Sequence, residues 1–361
     1  MDSLTQIVLG GAIAAAIAPP GHRRAALLAG AALGTLPDLD VIPVGLLADD
    51  PVERMTWHRS ASHSLLVLPV VAWAIWAWFR SRGGRVSKAP TRWWWAILLA
   101  LLTHPLLDAF TVYGTQLLWP LPVRPAMWSS VFIIDPLYTV WLAFACGVAW
   151  WARERVVAQR ALVAGLVLST AYLGWSLVAK GMVERDAEAV LAARGLADAP
   201  RFSVPMPFTT RHWRVVAMTP EGHLEGTRAL GDAEPMAFQF HASDTAALRE
   251  VQDVPAVQRL AWFNHGFMDA RVEGDALVLS DLRMGFGNDY TFRFIVARRD
   301  GDRWQAVPPR KPGFTLAEAA GLLWKRWREG DAAALSAMQA RTADQAAAGS
   351  SGETPATSAS K

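Results

Sequence analysis

Residues 93–110 read WWWAILLALLTHPLLDAF, and two of these residues decide how the chain is understood. Eighteen helical residues reach about 27 Å, close to the ~30 Å hydrocarbon core of a bilayer. Only His104 and Asp108 in this stretch are ionisable. They are four residues apart and share one helix face. Ionisable groups inside an apolar span are costly and mark function.

Working outward, further apolar runs lie at about 4–18, 25–36, 64–79, 131–152 and 161–179. The last two are full length for a bilayer. Fifteen residues of helix reach only ~22 Å, so the first two runs read as a short, tilted or partly inserted hairpin. The loops assign an orientation. Arg23 and Arg24, then Arg80, Arg82, Arg85, Lys88 and Arg92, then Arg153, Arg155 and Arg160 fall in alternate loops, ten bases in all. The intervening loops hold only Arg54, Arg59 and Arg124. The basic side faces the cytoplasm under the positive-inside rule, which puts the region after Lys180 on the opposite side.

The charge distribution separates two halves. Residues 1–180 carry 23 charged side chains and 13 of the 18 Trp, whereas residues 181–361 carry 44 charged side chains. This excludes a uniformly soluble protein and one that is mainly disordered. The net charge of +3 does not argue for nucleic acid, because the basic excess sits in short loops of the apolar half. The lone Cys146 rules out an intrachain disulfide.

In the second half the period changes. Residues 181–199 read as a helix leaving the membrane. Trp213–Thr219 and His223–Leu230 flank Pro220-Glu221-Gly222, a hairpin signal. Strands are expected at Met236–His241, Leu260–Phe267, Ala276–Leu282, Tyr290–Arg298 and Trp304–Val307. An amphipathic helix is expected at Phe314–Glu329. The expected architecture is a membrane α-helical bundle of about six hydrophobic helices (1–180), a connecting helix (181–199), a soluble antiparallel β or α+β domain (200–329) and a disordered Ala/Ser/Thr-rich tail (330–361).

Polar motifs cluster where an apolar half should avoid them. Pro37-Asp38-Leu39-Asp40 follows the second run, and His58-Arg59-Ser60-Ala61-Ser62-His63 precedes the third. Thr103-His104 and Asp108 close the fourth, and Asp135-Pro136 opens the fifth. The orientation, obtained from Lys and Arg alone, puts all of them at the outer ends of the spans. Asp38 and Asp40 point the same way if extended. Mixed imidazole and carboxylate donors suit a divalent ion, Zn²⁺ first, with Mn²⁺ or Fe²⁺ as alternatives. Asp38, Asp40, His63, His104 and Asp108 are the expected ligands, with His58 or Asp135 as base or ligand-orienting group. Arg59 and Arg124 lie on the same side and suit an anionic headgroup. Taken singly, a D-x-D is usually a cap or turn, and the tryptophan groups are interfacial anchors. Gly10-Gly11 and Gly30/Gly34 read as small-residue helix contacts.

The stretches MDSLTQIVLGGA, GTLPDLD, HRSASHSLL, LLTHPLLDAFTVYGTQLLWP and FIIDPLYT resemble the YdjM-like family over about residues 1–180. WRVVAMTPEGHLEG and LVLSDLRMGFG resemble the C-terminal extension of its longer members. The resemblance implies a membrane-bound hydrolase of the bacterial inner membrane with a divalent metal, and the basic-loop count implies a multi-pass chain with its C-terminal domain in the periplasm. A remoter likeness to zinc-dependent phospholipase C and related nucleases implies phosphoester cleavage. With the orientation above, the expected substrate is a phosphoester or lipid-linked one at the non-cytoplasmic face, with membrane lipid as partner. Relatives often have His where this chain has Gln6, which removes one donor near the N-terminus. The competing expectations are an ion or proton transporter, and a structural membrane protein with a metal-stabilised polar cluster.

Overall fold

The computed structural model describes residues 1–287 and 289–312. The helix expected at 314–329 and the tail expected at 330–361 lie outside these residues. All six apolar runs are helical: α1 (Ser3–Ile17), α2 (Arg23–Thr35), then, after α3 (Val41–Leu47) and α4 (Pro51–Trp57), α5 (Leu68–Ser81), and, after the short α6 (Arg85–Lys88), α7 (Pro90–Ala109), α8 (Pro136–Ala152) and α9 (Val156–Ala192). The expectation of about six membrane spans is corrected. Among the described residues, two helical stretches are long and apolar enough to cross, Pro20–Leu47 and Val156–Ala192. A third is added if the bent pair Pro51–His63 and Leu68–Ser81 counts as one span. The reason is length and composition. The 15 residues of α1 reach only ~22 Å. α7 has the length, with 20 residues, but its tryptophans, His104 and Asp108 dilute its apolarity.

Local chemistry starts and stops these helices. Asp2 caps α1, its carboxylate accepting from Thr5 N at 3.0 Å. Asp50 caps α4 through Val52 N and Glu53 N, with Pro51 at the first turn, where a missing N–H costs nothing. α1 and α2 pack backbone to backbone. A Cβ on Gly10 would stand 2.3 Å from Gly30 O, and one on Gly34 would stand 2.3 Å from Gln6 O. Only glycine permits that approach, as the small-residue reading expected. The 37 residues of α9 form one uninterrupted helix, so the helix expected at 181–199 continues the sixth run. At ~55 Å it is much longer than a bilayer core. Large apolar side chains stay exposed on the helices, among them Val70, Phe144 and Val167. Such a surface suits lipid.

The basic loops meet at one end of the bundle. Arg23 bonds Arg153 O and, at 2.7 Å, Gln159 Oε1, and Trp93 Nε1 approaches His22 Nδ1 at 3.2 Å.

The second half is built on two antiparallel four-stranded sheets. One has the order β1 (Arg201–Pro205), β2 (His212–Thr219), β3 (Gly222–Ala229), β4 (Phe238–Ala242). Helices α10 (Thr245–Glu250) and α11 (Pro255–Phe263) follow. The other sheet contains β5 (Met268–Glu273) and β6 (Ala276–Asp281), and then, past the small ribbon β7 (Gly285–Phe286) and β8 (Asp289–Tyr290), β9 (Arg293–Asp300) and β10 (Arg303–Arg310). Its order is β10-β9-β6-β5. The antiparallel β domain and the β2–β3 hairpin around Pro220-Glu221-Gly222 agree with expectation. The strand expected at Leu260–Phe267 does not form. Val257, Leu260 and Phe263 are buried at a three-residue spacing, and Pro255 starts a helix just upstream. β1 and β5 were not foreseen.

The two halves share one core. Val52, Met55 and Tyr113 pack with Leu260, Phe263 and Phe294. Tyr113 Oη donates to Met55 O at 2.8 Å, and Arg259 Nε to Thr56 Oγ1 at 2.5 Å. Residues Met1–Lys311 form one compact unit.

Inside the β domain His223 is fully buried and both ring nitrogens lack a hydrogen-bond partner. Burial lowers its pKa from the ordinary 6.5. The neighbouring Asp269 opposes the shift, His241 on β4 reinforces it, Glu225 opposes it and Arg214 on β2 reinforces it. A folded-state value below the unfolded one means that the unfolded chain takes the proton first as pH falls. The stabilisation is therefore complete above about 6.5 and declines below it. The thermal unfolding midpoint of the full chain is expected to drop between pH 7 and 5, and His223→Leu should flatten that profile. An equally steep profile in the variant would refute this assignment.

Candidate metal centre

The site is assembled from three segments. Pro37 opens a 3₁₀ turn over Leu36–Asp40, which ends α2 and carries Asp38. A second 3₁₀ turn, Ala61–His63, carries His63, and α7 carries His104 and Asp108. The loop from 110 to 135 braces the middle segment. Gln116 N donates to Arg59 O at 3.0 Å, Leu65 N to Leu117 O at 2.8 Å, and Ser64 Oγ to Trp119 O at 2.6 Å.

Asp38, His63, His104 and Asp108 each offer one donor atom, and these atoms lie within 4.8 Å of one another. His63 Nε2 stands 3.1 Å from His104 Nε2, 3.4 Å from Asp38 Oδ1 and 3.2 Å from Asp108 Oδ2. His104 Nε2 stands 3.4 Å from Asp38 Oδ1 and 3.6 Å from Asp108 Oδ2. Donors ~2.0–2.1 Å from a tetrahedral ion stand ~3.3–3.4 Å apart. Five of the six edges therefore match a tetrahedron of that size.

The hydrogen-bond network assigns the tautomers. His104 Nδ1 lies 2.6 Å from Gly34 O, which can only accept, so Nδ1 carries the proton. Ser62 Oγ donates to Asp40 Oδ2 at 2.6 Å, and its oxygen then accepts from His63 Nδ1 at 2.9 Å. In the neutral rings both Nε2 lone pairs then face inward. Asp38 Oδ1 and Asp108 Oδ2 are buried with no hydrogen-bond donor. Arg59 and the Met1 amine offset charge on Asp108 alone, and a cation at the centre would offset the charge that all four donors direct there. The residues fit a divalent ion on charge, donor type and spacing. The cluster could hold a metal ion.

The structure redistributes the other expected site residues. Asp40 is not among the four donors. Residues i and i+2 of a 3₁₀ turn point about 120° apart, whereas on an extended segment they share a face. Its carboxylate instead binds His58 Nδ1 at 2.7 Å, Arg59 N at 3.0 Å and Ser62 Oγ. It thus holds the loop that carries His63. His58 sits beside the cluster, its ring 5.9 Å from that of His63. Asp135 is elsewhere: it caps α8 through Leu137 N and Tyr138 N and accepts from Tyr172 Oη at 2.9 Å. The role of base or orienting group expected for it has no structural basis, and Pro136 beside it is the usual start of a helix. Arg59 is 4% exposed, and its Nε lies 3.1 Å from Asp108 Oδ2, so it serves the cluster. Arg124 lines a separate cleft with Lys180 and Glu184.

The N-terminal segment supplies two further contacts. Gln6 Nε2 donates to Asp108 Oδ1 at 3.0 Å and to His104 O at 3.3 Å, so position 6 touches the site without supplying a metal donor. The Met1 amine also contacts Asp108 Oδ1. No periodicity in the chain could have placed α1 against α7.

Residues 1–183 match the family described as YdjM inner membrane protein. A search of curated proteins and of solved structures returned no match. The matched region covers more than half of the 361 residues and contains all four clustered donors. The chain therefore belongs to the YdjM family of inner membrane proteins.

Proposed function

We propose that the protein is a membrane-bound, metal-dependent hydrolase acting on a phosphoester or lipid-linked substrate at the non-cytoplasmic membrane face. The observation that carries this reading is the set of four inward donor atoms, five of whose six separations match a tetrahedral ion. Asp38, His63, His104 and Asp108 hold the ion, Zn²⁺ by donor chemistry, with Mn²⁺ or Fe²⁺ as alternatives. When bound, such an ion polarises a phosphoryl oxygen and acidifies a water molecule. Asp38 has 22% of its side chain exposed while the other three have none, so substrate and solvent reach the site on its side. Asp40 fixes His58 with Nδ1 as donor, which leaves Nε2 to move a proton. Arg59 holds the Asp108 carboxylate in place.

The test is phosphate release from mixed lipid-phosphate substrates in detergent, with chelator and then added metal. Release that stops with chelator and returns with one divalent ion is expected. Metal-replete protein inert across the panel would sink this reading.

One observation favours a second reading. Four protein donors complete a tetrahedral shell, the usual arrangement of a structural ion, whereas a catalytic site keeps a position open. The inert, metal-replete outcome would support that reading.

The proposed membrane face rests on the basic loops gathering at the start of α2 and α7, the ends of those helices away from the cluster. A reporter active only in the cytoplasm, fused after Lys311, should be silent. A strong signal would invert the orientation and move the cluster to the cytoplasmic face.

A further inference from the structure

A cleft of about 630 Å³ lies next to the cluster, a volume usual for a small-molecule site. His58 and Tyr113 line its inner wall, so it is separated from the four donors by a single layer of side chains. Val41, Val44, Met55 and Phe292 make other walls apolar. Three cations line it as well, Arg54 from α4 and Arg310 and Lys311 from the end of β10. Among the described residues, the lining contains no acid. All three cations are exposed, and none forms an ion pair with an acid among the described residues. Guanidinium and ammonium groups beside an apolar wall match an amphiphile with an anionic head. Phe292, Arg310 and Lys311 come from beyond residue 183, outside the region matched to the family.

We propose that this cleft binds a lipid with an anionic phosphate headgroup, and that the C-terminal extension, through Arg310 and Lys311, supplies part of the charge that selects it. The proposal rests on the hydrolase reading only for what happens after binding. The extension thereby acts as a substrate-selecting wall built onto a family membrane domain. The apolar wall takes the acyl chain, and the cations take the phosphate.

The experiment uses the full chain in an uncharged detergent and measures binding of dihexanoyl phosphatidic acid, dihexanoyl phosphatidylcholine and inorganic phosphate. Phosphatidic acid should bind most tightly, because it alone of the three joins acyl chains to a head of net negative charge. The double variant Arg310→Gln/Lys311→Gln changes exposed side chains at a strand end and should weaken phosphatidic acid by about tenfold while leaving phosphatidylcholine unchanged. Gly45 lines the cleft and has open space around it, so Gly45→Phe should fill the cleft and weaken both lipids. Equal affinity for the two lipids, tight binding of phosphate alone, or an unaffected double variant would overturn the proposal. Metal content and turnover are read on the same samples. Binding without turnover in metal-replete protein removes the hydrolase reading and keeps the cleft. Turnover with an indifferent double variant does the reverse.

Discussion

His104→Ala is expected to strip the protein of its bound metal and to abolish any turnover that depends on it. The substitution removes one of four donors and leaves Gly34 O without its 2.6 Å partner. It also leaves two carboxylates, Asp38 and Asp108, facing each other with a single imidazole between them. Loss of groups that merely orient ligands costs about 10–100-fold in metal affinity, and loss of a ligand itself should exceed that. A graded series makes the test specific. Asp108→Asn should weaken metal by replacing a charged donor with a neutral amide. Asp40→Asn, which loosens the His58–His63 loop without removing a donor, should fall in the 10–100-fold range. Asp135→Ala should leave metal content untouched and cost only the α8 cap, about 1 kcal/mol. Metal analysis of the purified proteins after dialysis reads all four. Wild-type metal content in His104→Ala, or a loss in Asp135→Ala as large as in Asp108→Asn, would refute the assignment.

Gly34→Ala is expected to damage the same site from a distance, through packing. The new Cβ would stand 2.3 Å from Gln6 O, so α1 and α2 must move apart. Overpacking of this kind costs about 1–3 kcal/mol. The movement also displaces Gly34 O, which fixes the tautomer of His104, and Gln6, which donates to Asp108. Both metal affinity and the unfolding midpoint should fall. Gly174→Ala on α9 is the matching control: nothing lies within 4 Å of its added Cβ, and alanine in a helix should be neutral or stabilising by ~0.5–1 kcal/mol. Unchanged metal affinity in Gly34→Ala would mean that the α1–α2 contact does not position the site.

Much of this was legible in the chain because it is set by short-range rules. Apolar runs separated by charged loops form helices wherever they occur, and Pro220-Glu221-Gly222 turns a hairpin within a few residues. Ionisable residues in apolar surroundings identify themselves by cost, which is why His104 and Asp108 stood out at once. Their four-residue spacing already places them on one face. The reading failed where backbone geometry hung on its immediate context. Leu260–Phe267 looked like a strand because Pro255 and Val257, which establish the helical period, lie just outside it. The D-x-D segment looked like two parallel donors because a 3₁₀ turn was not anticipated.

Sequence alone therefore determined which polar residues stand out in an apolar half, which segments are helical and apolar, and that a β domain follows. Tertiary structure decided which polar residues meet. It brought Asp38, His63, His104 and Asp108 to one point, sent Asp40 to brace their loop and left Asp135 as a helix cap. It also placed Gln6 against Asp108 across a separation of 102 residues, and β10 beside α4. The physical reason is that hydropathy, spacing and turn chemistry act over a few neighbouring residues. A metal centre depends on distances of a few ångströms between segments whose approach is set by glycine contacts, loop bracing and the packing of one half of the chain on the other.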